Sequence, residues 1–165
     1  MRISKRALVT FVGAAIAALS MALAAGAFAA AERSHANHHG ERDGVPLINA
    51  SLAPSQPTDP TFHGVTAGGA LWVLKSGDVK LKSGGNLDLR VEGLVIPALG
   101  TPGAVTTISA SLYCHPHTTA ADTTQQVPIS REGDARIHDT SFNVPSTCLI
   151  PVILVHPNGL GTVYI

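Results

Sequence analysis

Sulfur, aromatic rings and charge are all scarce in this chain of 165 residues, and each scarcity closes off a class of function. The two methionines, Met1 and Met21, both stand near the start. A blue-copper centre takes one cysteine, two histidines and a weak axial methionine, so only an axial glutamine would remain for one here. Aromatic residues make up 4% of the chain, and Trp72, Tyr113 and Tyr164 are too scattered to form a stacking platform for sugars. Charged residues make up 13%, and no basic cluster exists that could track phosphates, which disfavours nucleic acid as a partner. There is no Gly-x-Ser-x-Gly elbow, no His-Glu-x-x-His pair and no phosphate-cradling glycine loop. Nor does any stretch after the first 30 residues keep a 3.6-residue apolar period, so amphipathic helices are not expected.

The opening residues, MRISKRALVTFVGAAIAALSMALAAGAFAAAE, are the one long apolar run. Arg2, Lys5 and Arg6 precede an uncharged Ala-rich stretch, and Ala27-Phe28-Ala29 fits a small-x-small cleavage site. The run is long enough to span a bilayer, but its composition and cleavage motif read as a secretory signal peptide of residues 1–29, cut near Ala29. Cleavage leaves 8 basic against 11 acidic residues, a net charge of −3, and no membrane span. The expected setting is extracellular.

Residues 30–60 mix charges, small residues and prolines without an apolar period, as a flexible arm does. Val45 to Ile48 is a short apolar island with the makings of an edge strand. From Thr61 to Ile165, short apolar runs alternate with Gly, Pro, Ser and Asn clusters. That texture predicts one all-β domain, an antiparallel sandwich of immunoglobulin-like or similar Greek-key type with about seven or eight strands.

The clearest piece is GDVKLKSGGNLDLRVEGL, residues 77–94. Val79 and Leu81 alternate with lysines, and Leu87, Leu89 and Val91 alternate with charged residues, so one face is buried and one is wet. Leu81 and Leu87 share a face only if the loop between the strands is odd, which selects Ser83-Gly84-Gly85 with Lys82 opposite Asn86. That register sets Val79 against Leu89, Lys80 against Asp88 and Asp78 against Arg90. Each such pair contributes roughly 0.2–1 kcal/mol.

Further strands are expected at 69–75, 104–114, 125–130, 135–144, 148–156 and 161–165. In AVTTISASLYC, Ile108, Ala110, Leu112 and Cys114 share the inward face, with Thr107, Ser109, Ser111 and Tyr113 opposite. CLIPVILVHP is apolar on both sides, which marks a central strand or one covered on its outer face by a loop or partner, and Pro151 calls for an edge or a bulge. Leu149, Ile153 and Val155 are expected on that outer side, where a second subunit or a cell-surface partner would cover them.

The chemistry-bearing residues are few. Cys114 and Cys148, the only cysteines, are expected to form a disulfide. The alternative is a copper or zinc site drawn from Cys114, His115, His117, Cys148 and His156. An extended strand would hold Cys148 and His156 about 26 Å apart, too far to share an ion. His35, His38 and His39 form a second, looser candidate, a histidine cluster on the arm. Glu132, Asp134, His138 and Asp139 crowd into REGDARIHD, where surface charges on an alternating strand explain them more simply than acid–base work.

The segments WVLKSGDVKLKSGGNLDLRVEGLVIP, ISASLYC, GDARI and CLIPVILVHPNG, with VYI near the end, resemble a group of secreted proteins common in actinobacteria. That resemblance implies a single small β-domain behind a signal peptide, and it brings no functional residues with it. The strand texture is more loosely similar to the chordin-type repeat domain, whose amino-terminal motif this chain lacks. The function expected from the sequence is that of an exported, non-enzymatic binding or structural protein without a cofactor. A metal carrier and a secreted hydrolase are the alternatives.

Overall fold

The computed structural model describes residues 44–165, so the signal sequence and His35, His38 and His39 lie outside the described residues. Ten strands run in chain order: β1 (Pro46–Ser51), β2 (Thr66–Ala67), β3 (Ser76–Lys82), β4 (Leu87–Glu92), β5 (Thr107–His115), β6 (Asp122–Thr123), β7 (Val127–Pro128), β8 (Ala135–Asp139), β9 (Leu149–Pro157) and β10 (Val163–Tyr164). Four of them are two-residue pieces, and six carry the architecture. They form an all-β sandwich of two packed sheets. One sheet has the order β1-β3-β4-β8; in the other, β5 is central, with β9 on one side and β6 and β7 on the other. The β2–β10 pair is parallel, an exception to the otherwise antiparallel pairing.

The β3–β4 hairpin forms in the register that its alternation demands. Asp78 pairs with Arg90, Val79 with Leu89, Lys80 with Asp88 and Leu81 with Leu87. The Lys82 N–H reaches Asn86 O at 3.0 Å, closing a loop of Ser83, Gly84 and Gly85. Gly85 has φ +84°, and a Cβ there would stand 2.3 Å from Phe142 O, so only glycine fits. Val79, Leu81, Leu87, Leu89 and Val91 all point into the space between the sheets and are at most 3% exposed. Ile108, Ala110, Leu112 and Cys114 meet them from β5. Trp72 is buried in the same core.

Three expectations need correction. The folded region begins before Thr61: Pro46–Ser51 pair with β3 as its outer neighbour, so the apolar island does make an edge strand. The segment 69–75 is no strand, because its backbone is spent on two distant loops, with Trp72 N–H on Ser55 O and Val73 bridging Val95. The predicted strand 135–144 stops at Asp139, whose carboxylate accepts the Ser141 N–H and turns the chain.

The most informative difference concerns β9. His115 pairs with Leu149 and Tyr113 with Val152, so Cys114 on β5 is matched by two residues, Ile150 and Pro151. This is a β-bulge, with Ile150 at φ +45°. It accommodates a proline that has no N–H to give the ladder. It also switches the parity of the strand. Leu149 and Ile150 stay exposed, while Ile153 and Val155 turn inward to the core. Val152, Leu154 and His156 take the outer face, and the chain itself covers them. Val65, Tyr113, Leu154 and Tyr164 form a second small cluster under β2 and β10. The supposed outer stripe of Leu149, Ile153 and Val155 does not exist, and the outer face of β9 is covered by Val65, Ala67, Ala120 and Tyr164 of the same chain. Ser109, Ser111 and Tyr113 are buried for the same reason, so both faces of β5 are buried.

Candidate functional site

Cys114 ends the inward stripe of β5 and Cys148 lies just before β9. Because these strands are neighbours, the two cysteines meet in a disulfide with Cα atoms 4.9 Å apart. The bond consumes the only thiols, so neither is free to ligate an ion. His115 and His117, just beyond it, are exposed. The His117 carbonyl accepts the His63 Nδ1–H at 2.7 Å, and the His63 ring stacks on Tyr113 at 5.3 Å. These contacts tie the loop over the second sheet. Among the described residues, no three His, Cys, Asp or Glu side chains converge as metal ligands do.

His156 lies toward the other end of β9, fully buried on the outer face. Its Nδ1–H donates to Val163 O at 2.7 Å, latching β10 to β9, and its ring stands edge-on to Tyr113 at 6.4 Å. Nε2 has no partner, as befits a neutral imidazole whose other nitrogen carries the proton. Burial, outweighing the backbone hydrogen bonds, holds this imidazole below the ordinary histidine range. A depressed histidine favours the fold while neutral. The stability it contributes is complete above the unfolded-state value of about 6.5 and is lost as pH falls below it. Urea unfolding at pH 7.5 and pH 5 is expected to show a drop in midpoint that His156→Gln reduces; an equal drop in both proteins would assign the effect elsewhere.

The REGDARIHD charges sit on the wet face of the first sheet. Asp88 accepts from His138 Nδ1 at 2.8 Å and from Arg136 at 3.4 Å across the β4–β8 ladder. The His138 hydrogen bond, with help from Arg136, lowers the Asp88 carboxyl below the usual range. Asp134 Oδ1 accepts the Gly93 N–H at 2.9 Å, and Asp139 caps its own turn. Asp88, Asp134 and Asp139 thus each have a structural partner, and these acids serve the sheet and its turns.

The concave feature is elsewhere, and sequence reasoning missed it. β1 is the edge of the first sheet, and β9 lies at the edge of the second. Between them opens a cleft of about 480 Å³. Val79 and Val91 of the first sheet, Leu94 just beyond β4, and Ile153 and Val155 of the second sheet line it, and the segment 52–62 contributes much of the remaining wall. Its surface is mainly apolar, and Asp59 is the one charged side chain on it. The polar groups at one end are engaged in holding the wall. Asp59 Oδ2 accepts the Gln56 N–H at 2.7 Å, and the Tyr164 hydroxyl donates to Pro60 O at 2.7 Å. Ser55 also lines the cleft and is 2% exposed, and its hydroxyl has no hydrogen-bond partner. A buried hydroxyl left so costs about 1–3 kcal/mol.

Among the described residues, no helix is long and apolar enough to cross a membrane. Compared with protein-family profiles, with curated proteins and with solved structures, the chain matches none.

Proposed function

We propose that this chain is an exported, non-enzymatic binding protein, and that the cleft between β1 and β9 is where it binds. The carrying observation is the cleft itself: about 480 Å³ of mainly apolar wall, within the size range of ligand sites. The rest of the reading agrees with it. The leader and the disulfide suit an oxidising, extracellular setting. The ionisable groups near the cleft are committed to its wall: Asp59 holds the Gln56 turn and Tyr164 holds Pro60, which leaves no paired acid and base facing a substrate. Binding is therefore favoured over the hydrolase alternative. A carrier based on His115 and His117 has less support, because His117 is anchored through its backbone and both cysteines are oxidised.

The reading is tested by nuclear magnetic resonance titration of the purified protein with two apolar probes, sodium dodecanoate and a short β-forming peptide. At least one is expected to shift the amides of Ile48, Leu74 and Ile153, which line the cleft. Ala50→Trp, an exposed position at the cleft, should weaken that binding at least about tenfold by occupying the mouth. Shifts elsewhere, or none with either probe, would retire the cleft as the binding site.

A further inference from the structure

The structure assigns a partner chemistry to this cleft: it takes an extended peptide segment, added as a strand along the free edge of β9. The inference rests on the cleft being the binding site and goes further, from apolar filling to backbone pairing.

The hydrogen-bond phase of β5 decides which way the β9 backbone points. Thr124 N–H donates to Ala110 O, and Ala121 N–H donates to Leu112 O. The even residues of β5 therefore turn their polar groups toward β6. Ser109, Ser111 and Tyr113 turn theirs toward β9, where they face His156, Leu154 and Val152. It follows that Ile153 and Val155 present N–H and C=O on the opposite edge. Val155 O is taken there by the Ile165 N–H at 3.0 Å, so one rung is already laid. At the next position, Ile153, neither backbone group has a partner among the described residues. Pro151, one step further, offers only a carbonyl. Residues 151–155 all line the cleft, as a cleft running along this edge requires.

A strand continuing from the Ile165 rung would run antiparallel to β9. Its residue opposite Ile153 would exchange two backbone hydrogen bonds, and its residue opposite Pro151 would give one. Both side chains would share the inward face of Ile153 and meet the apolar floor at Val79, Val91 and Leu94. The residue between them would point outward. Burial, and after it the Asp59 carboxylate, disfavours ionisation of the Tyr164 phenol, which places the cleft's one charged side chain toward the Ile165 end, with one of its oxygens on the Gln56 N–H. The strand that fits is short and apolar at alternate positions, with a basic residue leading it. Main-chain pairing gives such a mode its affinity, and alternate side chains give it selectivity.

The test uses acetyl-Lys-Val-Thr-Val-Thr-amide, the same peptide N-methylated at its first valine, and sodium dodecanoate, each titrated into the purified protein. The unmodified peptide is expected to shift the cleft amides and slow hydrogen exchange at Ile153. The methylated peptide, which loses the donor to Ile153 O, should bind at least about tenfold more weakly. Equal binding of the two peptides overturns the strand geometry. Dodecanoate binding without peptide binding overturns the peptide partner and leaves the cleft as an apolar site. If neither probe binds, both readings fall. Ile153 protection in the protein alone that rises with its concentration would show a second copy on this edge, and that overturns the foreign strand.

Discussion

Replacing Cys114 and Cys148 together by alanine is expected to lower the unfolding free energy by about 4 kcal/mol. The disulfide joins residues 34 apart in sequence, and on the chain-entropy account a loop of about 35 residues denies the unfolded chain roughly that much freedom. Domains of this size hold only about 5–15 kcal/mol in all, so the double variant loses a large share of its stability. Alanine is the right probe because Cys114 is 4% exposed in the core, where a serine hydroxyl would add a desolvation cost of its own. Urea unfolding checks it. A loss below about 1 kcal/mol would mean that the unfolded chain is already constrained without the bond.

Leu81→Ala carries the second large effect. Leu81 and Leu87 are fully buried and face each other directly across the β3–β4 hairpin. Truncating a buried leucine costs about 2–5 kcal/mol, part of it transfer free energy and part the cavity left behind. Leu87→Ala should cost a similar amount. The double variant should lose less than the sum, because each leucine forms part of the wall of the other's cavity. A double-mutant cycle on unfolding midpoints and slopes measures the coupling. Strict additivity would show that the two side chains do not support each other and would put the hairpin register in question.

Those two predictions concern the parts of the molecule that the sequence made readable. The hairpin was legible because parity, charge pairing and glycine placement all select one register, and a slip of one residue would put Lys82 beside Leu87. Cys114 was legible because it ends an inward stripe, and Cys148 because no other partner exists. Local pattern stops at the second layer. Nothing in SASLY announces that its outward residues will be covered, since the cover comes from Val65 and Tyr164, dozens of positions away. Pro151 signalled an edge or a bulge, but that a bulge would flip Ile153 and Val155 inward depended on where β5 lay. The cleft was invisible for a related reason. It is the space between two sheet edges, and its walls at Ile48, Leu74 and Ile153 look in sequence like ordinary core positions. Ser55 gives the plainest case, a serine in a proline-rich stretch whose burial only the tertiary fold reveals.

The disulfide has a further consequence beyond chain entropy. Residues 44–165 contain no methionine, and their only two sulfur atoms are already joined to each other. The single tryptophan is enclosed between the sheets at 3% exposure. Peroxide acts on thiols and thioethers, so it finds almost nothing to attack on this domain. Its shape should outlast an oxidative burst that would inactivate a neighbour carrying exposed methionines.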